Sequence, residues 1–289
     1  MKYVTLADLA HTIRANFRKV PHDVDFVLGV PRSGVICGSI IAEFLNVPLV
    51  DVDSFCFGAS PTGGRRLAFH RESGSAKPRV LVVDDTIFTG GSMRQAHEKL
   101  DILSDQFDFI YMAVYLEGPC ADVDVWLEDI RGQMGPECRF ALYEWNIFHH
   151  TLRLMTRCLY DLDGVLCVEP PDERDTAAYE RYLPEAVPLF VPTQEIGGIV
   201  SYRLRKYEDV TRQWLDAHDV RYNALTMYDA ESYEERANGY QSPAHYKAEA
   251  YRMRPDALLF VESSDWQSRE IAKMTGRPVY CVESNKMYS

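Results

Sequence analysis

Residues Val80-Leu81-Val82-Val83-Asp84-Asp85-Thr86-Ile87-Phe88-Thr89-Gly90-Gly91-Ser92 decide how this chain is read. Four consecutive apolar residues, most of them β-branched, read as a strand buried on both faces, the kind found inside parallel sheets. The strand ends on two carboxylates, Asp84 and Asp85. A run of small and hydroxyl residues follows, and then a helical pattern over Ser92–Leu103. A loop that feeds a helix N-terminus turns backbone N–H groups and the positive end of the helix dipole toward an anion. Adjacent carboxylates accept hydrogen bonds from vicinal hydroxyls or help to hold a magnesium ion. Together these features describe a ribose phosphate site built from Asp84, Asp85, Thr86, Thr89, Gly90, Gly91 and Ser92.

Further strands are expected at Phe26–Val30, Val47–Val52 and Phe109–Tyr115. In the second half of the chain they fall at Cys158–Asp161, Gly198–Tyr202, Arg221–Thr226, Ala257–Val261 and Pro278–Val282. Helical patterns cover Leu6–Arg18, Gly34–Phe44, Tyr207–Ala217, Ala244–Met253 and Trp266–Thr275. Strands alternating with helices imply an α/β fold. A chain of 289 residues is about twice the usual domain length, so two domains are expected, each a mainly parallel sheet flanked by helices. Charge does not mark the boundary, because both halves are acidic. The motifs place it between 1–150 and 151–289. Ligands of such sheets collect at the carboxyl ends of strands, so motifs that directly follow strands carry the functional reading.

Composition narrows the classes. Hydrophobic residues make up 46% and charged residues 26%, which excludes a disordered or fibrous chain. A formal charge of −12 argues against nucleic acid or an anionic membrane as the main partner. No stretch approaches the roughly 20 apolar residues of a membrane span. The first residues carry Lys2, Asp8, Arg14, Arg18 and Lys19 rather than the apolar run of a signal peptide. Seven cysteines without CxxC spacing suggest free thiols in a reducing compartment. A cytoplasmic location is expected; oligomeric state is not legible.

The Asp84–Ser92 string resembles the fingerprint by which type I phosphoribosyltransferases bind 5-phosphoribosyl-1-pyrophosphate (PRPP). The resemblance implies that Asp84 and Asp85 meet the ribose hydroxyls while Thr86 to Ser92 wrap the 5-phosphate. Upstream, Leu28-Gly29-Val30-Pro31-Arg32-Ser33-Gly34 looks like the family's pyrophosphate loop, with Pro31, Arg32 and Ser33 at the leaving group. Between the two, five basic residues (Arg65, Arg66, Arg71, Lys77, Arg79) face one acid, Glu72. Such a glycine-bearing basic loop reads as a lid over pyrophosphate, with Arg65 and Arg66 as its candidate contacts. The implied reaction displaces pyrophosphate, normally with magnesium, from ribose C1. Purine-salvage members carry an Asp at the position of Phe88, so a purine acceptor is not favoured. Tyr143, Trp145, His149 and His150 are candidates for the acceptor side.

Cys158-Leu159-Tyr160-Asp161-Leu162-Asp163-Gly164-Val165-Leu166 is a strand ending in Asp-x-Asp-Gly. It resembles the opening motif of the haloacid dehalogenase (HAD) phosphatases, whose later motifs are matched in order by Ser201, Lys247 and Glu262 or Asp265. The resemblance implies a HAD-like Rossmannoid fold in which Asp161 attacks phosphorus. Asp163 then protonates the leaving alkoxide and activates water. Ser201 and Lys247 would bind phosphoryl oxygens. Magnesium would sit on Asp161, the Asp163 carbonyl, and either Glu262 or Asp265. The short, proline-interrupted segment from Asp163 to Ser201 leaves room only for a small cap.

A donor that always delivers a 5-phosphoribosyl group, joined to a phosphatase, makes sense when plain ribofuranose is wanted. The expected activity is transfer from PRPP to an acceptor hydroxyl, that of a glycan, followed by removal of the 5-phosphate. The pairing resembles that used in bacterial ribofuranose-containing polysaccharide assembly. Two alternatives stay open: a nucleoside or other ribosylated small molecule as product, or a regulatory protein that binds PRPP without turnover.

Overall fold

The computed structural model describes residues 1–64, 77–134, 141–174, 176–239 and 242–289. The chain divides into two compact units, Met1–Trp145 and Asn146–Ser289. Both are α/β with parallel sheets.

In chain order the first unit contains β1 (Tyr3–Val4), α1 (Leu6–Ala15), β2 (Phe26–Gly29), α2 (Ser33–Leu45), β3 (Leu49–Asp51) and α3 (Val52–Cys56). It continues with β4 (Arg79–Ile87), α4 (Gly91–Leu100), β5 (Asp108–Leu116), β6 (Val125–Asp129) and β7 (Leu142–Tyr143). Five strands form one sheet in the order β3-β2-β4-β5-β6, every pair parallel. Side chains alternate across the sheet. Leu81 and Val83 of β4 therefore pack with Leu9 and Ile13 of α1 and Ile41 of α2. Val80 and Val82 pack on the other face with Met93, Ala96 and Leu100 of α4. Covered on both faces, β4 is apolar from Val80 to Val83, and its polar residues lie at Arg79 and from Asp84 to Thr86.

The strand order turns around at β2 and β4. From β2 the chain runs outward to β3, returns to β4, and then steps the other way to β5 and β6. The crevice at the carboxyl ends of β2 and β4 is thus the switch point where doubly wound sheets bind ligands.

The second unit contains α5 (Leu152–Met155), β8 (Cys158–Tyr160), α6 (Thr176–Glu185), β9 (Gly198–Leu204), α7 (Glu208–Ala217) and β10 (Leu225–Tyr228). It ends with α8 (Tyr233–Gly239), α9 (Pro243–Arg252), β11 (Leu259–Glu262), α10 (Asp265–Thr275), β12 (Val279–Cys281) and β13 (Lys286–Tyr288). Its sheet order is β10-β9-β8-β11-β12-β13, parallel except for the antiparallel pair β12–β13. Leu159, Val200 and Phe260 pack against Ala248 and Tyr251 of α9 and Ile271 of α10. The switch point lies between β8 and β11.

Several elements differ from the sequence reading. β4 runs to Ile87, beyond the expected Asp84, because β5 keeps pairing with it through Thr86↔Tyr115 and Ile87↔Leu116. β6 was not expected; as the outermost strand it buries Leu127 fully while Trp126 and Asp129 stay exposed, so it lacks an apolar run. β10 begins at Leu225, later than the expected Arg221, and α6 and α8 are short polar helices with little apolar signal.

Candidate functional site

In the first unit the two predicted loops meet at the switch point. The Val30 N–H donates to the Val83 carbonyl at 2.9 Å, tying the end of β2 to the end of β4. Gly34, in the first turn of α2, packs so closely that a Cβ would lie 2.4 Å from the Val83 oxygen and 3.1 Å from the Asp84 Cα. Pro31 and Arg32 are exposed beside this contact, Ser33 is partly buried, and the Pro31–Arg32 peptide is cis.

Asp84 and Asp85 are buried at the end of β4, and the Asp85 N–H donates to Asp84 Oδ1 at 2.9 Å. Burial and then the Asp85 charge push the Asp84 carboxyl well up. Burial also raises Asp85, opposed by the Trp145 indole, which donates to Asp85 Oδ2 at 2.6 Å. Thr86 lies inside β4 rather than in a loop, and its hydroxyl donates to Glu117 Oε1 at 3.1 Å. Tyr143 also donates to that Glu117 oxygen, while the other accepts from the Ala141 N–H at 3.0 Å. The exposed loop is therefore Phe88 and Thr89, followed by buried Gly90, with Gly91 and Ser92 opening α4.

Gly90 caps α4 in the left-handed conformation, φ 74°, with no side-chain cap. A Cβ there would also collide with Asp122 Oδ2 at 2.1 Å. The first-turn N–H groups of α4 thus meet no side-chain acceptor from the cap residue. Arg94 braces the loop, donating to the Thr89 carbonyl at 2.9 Å and to Asp122 at 2.7 Å. Arg65 and Arg66 lie outside the described residues.

In the second unit, Asp161 follows β8 and Glu262 ends β11, on either side of that sheet's switch point. Lys247, from α9, reaches between them, with Nζ 2.7 Å from Asp161 Oδ2 and 2.7 Å from Glu262 Oε2. All three are buried. Burial opposes the ammonium, but the two carboxylates outweigh it and raise the Lys247 pKa. Burial and the Glu262 charge push Asp161 up against the pull of Lys247.

Asp163 is held by Arg203, which donates from Nε at 3.0 Å and from Nη2 at 2.5 Å. Arg203 was not picked out from the sequence; an arginine two residues after Ser201, in a strand with both neighbours apolar, was its only signal. Ser201 is fully buried, and its Oγ accepts from the Arg203 N–H at 3.2 Å. A cavity of about 220 Å³ opens on Asp161, Asp163, Arg203 and Lys247, and on Glu169 and Ser263. Ser201 is not part of its wall.

Magnesium is expected on Asp161, the Asp163 backbone carbonyl and either Glu262 or Asp265, but the acidic side chains as placed do not fit it. Lys247 fills the gap between Asp161 and Glu262, and Arg203 takes both Asp163 oxygens. The remaining Glu262 oxygen accepts from the Ser263 and Ser264 N–H groups at 3.0 and 3.2 Å. Asp265 heads α10, where it bonds Arg269 and Tyr288 instead. Among the described residues no three His, Cys, Asp or Glu side chains gather as a metal site.

Comparison with known proteins bears on the first unit. Residues 4–104 match the family model of the phosphoribosyl transferase domain. The matched stretch includes both loops of the switch point, while Glu117, Tyr143 and Trp145 lie beyond it.

The chain is 26% identical over 103 residues to a hypoxanthine/guanine phosphoribosyltransferase of Methanothrix soehngenii, covering 33% of this chain and 54% of the relative. It therefore spans about half the length of that relative. Among solved structures it is similar to orotate phosphoribosyltransferase from Aeropyrum pernix, at 20% identity and TM-score 0.32, covering 44% of this chain and 71% of that one. It is also similar to the xanthine-guanine-hypoxanthine phosphoribosyltransferase of Helicobacter pylori, at 12% identity and TM-score 0.36, covering 50% and 93%.

Within the first unit the structure brings Tyr143 and Trp145 to Asp85 and Glu117, whereas His149 and His150 belong to the second unit. Glu117 escaped sequence reading. Its signal was an acid directly after the apolar strand β5, the same pattern that marks Asp84. No helix among the described residues is long and apolar enough to cross a membrane.

Proposed function

We propose that the chain is a two-step ribosyl transferase. The first unit transfers 5-phosphoribosyl from magnesium-bound PRPP to an acceptor hydroxyl, of a glycan, and the second, read as a HAD-like phosphatase with a small cap, removes the 5-phosphate. The observation that carries this reading is the placement of acid-bearing strand ends at the switch point of each sheet: Asp84 and Asp85 in one, Asp161 and Glu262 in the other.

In the first step the α4 N-terminus takes the 5-phosphate, and Asp84 and Asp85 accept from the ribose hydroxyls. The loop at Pro31, Arg32 and Ser33 receives the pyrophosphate. The C1–O bond to pyrophosphate breaks as the acceptor oxygen bonds to C1 and gives up its proton.

In the second step an Asp161 oxygen bonds to phosphorus as the ester P–O bond breaks. Asp163, held through both oxygens by Arg203, takes a proton from the water that hydrolyses the aspartyl phosphate. Asp163 is the expected donor of the alkoxide's proton, but with Arg203 on both of its oxygens that role passes in this reading to Glu169, which lines the same cavity and whose carboxyl is pushed up by burial and the Asp163 charge.

The test is incubation with PRPP, magnesium and a set of hydroxyl acceptors, followed by mass spectrometry. Pyrophosphate release that depends on the acceptor, with ribose added to it, supports the reading. Asp161→Asn is expected to leave the phosphorylated adduct uncleaved. Absence of acceptor-dependent release sinks it. The similarity to a hypoxanthine/guanine enzyme favours a second reading, in which a nitrogen base is the acceptor. Product on a base rather than a hydroxyl in the same assay selects that one.

A further inference from the structure

Two acceptor oxygens in the wall of the second unit's cavity have no donor. Glu173 Oε1 and Gln267 Oε1 are buried without a hydrogen-bond partner among the described residues, and both residues line the cavity that Asp161 and Lys247 also line. Buried polar atoms are almost always hydrogen-bonded. Two orphans in one cavity wall therefore await donors from whatever binds there.

Neither oxygen is loosely placed. The other Glu173 oxygen accepts from Arg236 Nη2. Arg236 is only 8% exposed, and its guanidinium donates to the Tyr202 carbonyl at 2.7 Å and lies over the Tyr202 ring at 4.5 Å. One carboxylate oxygen is thus fixed by the protein, and the other is buried in the cavity wall with no partner among the described residues. Gln267 stands in the first turn of α10, where its N–H donates to the Ser264 cap at 3.4 Å. Both orphans are acceptors, so they select hydroxyl or ammonium donors and disfavour a second anion.

We infer that Glu173 and Gln267 form a hydroxyl-binding subsite that selects phosphomonoesters with free hydroxyls on the carbon skeleton, that is, sugar phosphates. The inference rests on the phosphatase reading for the position of the phosphate beside Asp161 and Lys247. The cavity volume of about 220 Å³ suits a phosphorylated pentose, whereas pockets for larger ligands run from about 300 Å³ upward. Whatever the sugar is attached to remains outside.

The test is calorimetric titration of the full chain carrying Asp84→Ala and Asp85→Ala, so that the first unit does not contribute. The probes are the non-cleavable methylene phosphonate of ribose 5-phosphate and the same compound with its hydroxyls replaced by hydrogen. The hydroxylated probe is expected to bind about tenfold tighter, which is about 1.4 kcal/mol. Gln267→Met and, separately, Glu173→Gln are expected to abolish most of that preference without weakening the hydroxyl-free probe. If Glu173→Gln does not fold, Gln267→Met decides alone. Equal binding of the two probes, binding of neither, or a preference that survives Gln267→Met overturns the inference. A preference for hydroxyls without cleavage of any phosphomonoester sinks the phosphatase reading alone. Cleavage without the preference sinks only the subsite.

Discussion

The indole of Trp145 donates to Asp85 at 2.6 Å, so a residue beyond β7 holds the second carboxylate of the phosphate loop. A hydrogen bond to a charged group is worth about 1.5–3 kcal/mol. Trp145→Phe keeps the ring, which packs 4.9 Å from Tyr143, and removes only the donor. PRPP binding is expected to weaken by roughly tenfold or more. Titration calorimetry measures this, and unchanged affinity would show that Asp85 needs no such support.

Asp84 supplies a pH prediction. Its carboxyl is held well above the ordinary 3.8, first by burial and then by Asp85. An acid with a raised folded-state value favours folding below its unfolded value, and the advantage is lost as pH rises through the folded one. The ligand-free protein therefore loses stability between acid and neutral pH on account of this group. Asp84→Asn is expected to melt higher than the parent near neutral pH, with the gap closing as pH falls toward about 4. Melting curves across that range decide; a gap that stays constant rules out titration of Asp84 as its source.

Asp163→Asn is a poor probe of catalysis, because it leaves Arg203, 2% exposed, with half of its partner. Breaking a buried ion pair by removing one member costs about 3–5 kcal/mol. Urea denaturation should show a loss of that order, moderated because Asp163 itself is 17% exposed. Replacing both, Asp163→Leu with Arg203→Met, is expected to recover most of the stability while activity stays absent. If the double variant is no more stable than Asp163→Asn, the pair does not matter to folding in the way argued.

Gly34→Ala tests the contact between the two loops of the first unit. A methyl 2.4 Å from the Val83 oxygen has no flexible neighbour to displace, so α2 or the end of β4 must shift. Overpacking of this kind typically costs about 1–3 kcal/mol. The larger effect is expected on PRPP, since Arg32 and Asp84 would no longer keep their spacing. Denaturant midpoint and PRPP affinity, measured together, separate the two.

Much of the fold was legible because its central strands are apolar on both faces: Val80–Val83 and Leu259–Val261 announce themselves, and the acids that follow them mark the strand ends. What stayed hidden depends on long-range pairing. β6 alternates buried Leu127 with exposed neighbours at an edge, and β4 reaches Ile87 only because β5 pairs with it. At the sites, Asp84, Asp85 and Asp161 could be named from strand-end position, and Lys247 from its place in the order of the motifs. Arg203, Glu117 and Glu173 could not, since an isolated charge in a sequence says nothing of the partner that buries it. The position of Lys247 between two acids also explains why the expected cation site is not formed by the side chains as they stand.

The dependence of Asp85 on Trp145 has a practical corollary for dissecting the chain. A fragment trimmed to residues 4–104 would retain every residue of the phosphate loop. It would also discard β5, the main neighbour of β4, along with Glu117, Tyr143 and Trp145. Such a piece would present the signature in sequence while leaving its carboxylates unbraced, so any minimal version of this half has to extend through Trp145.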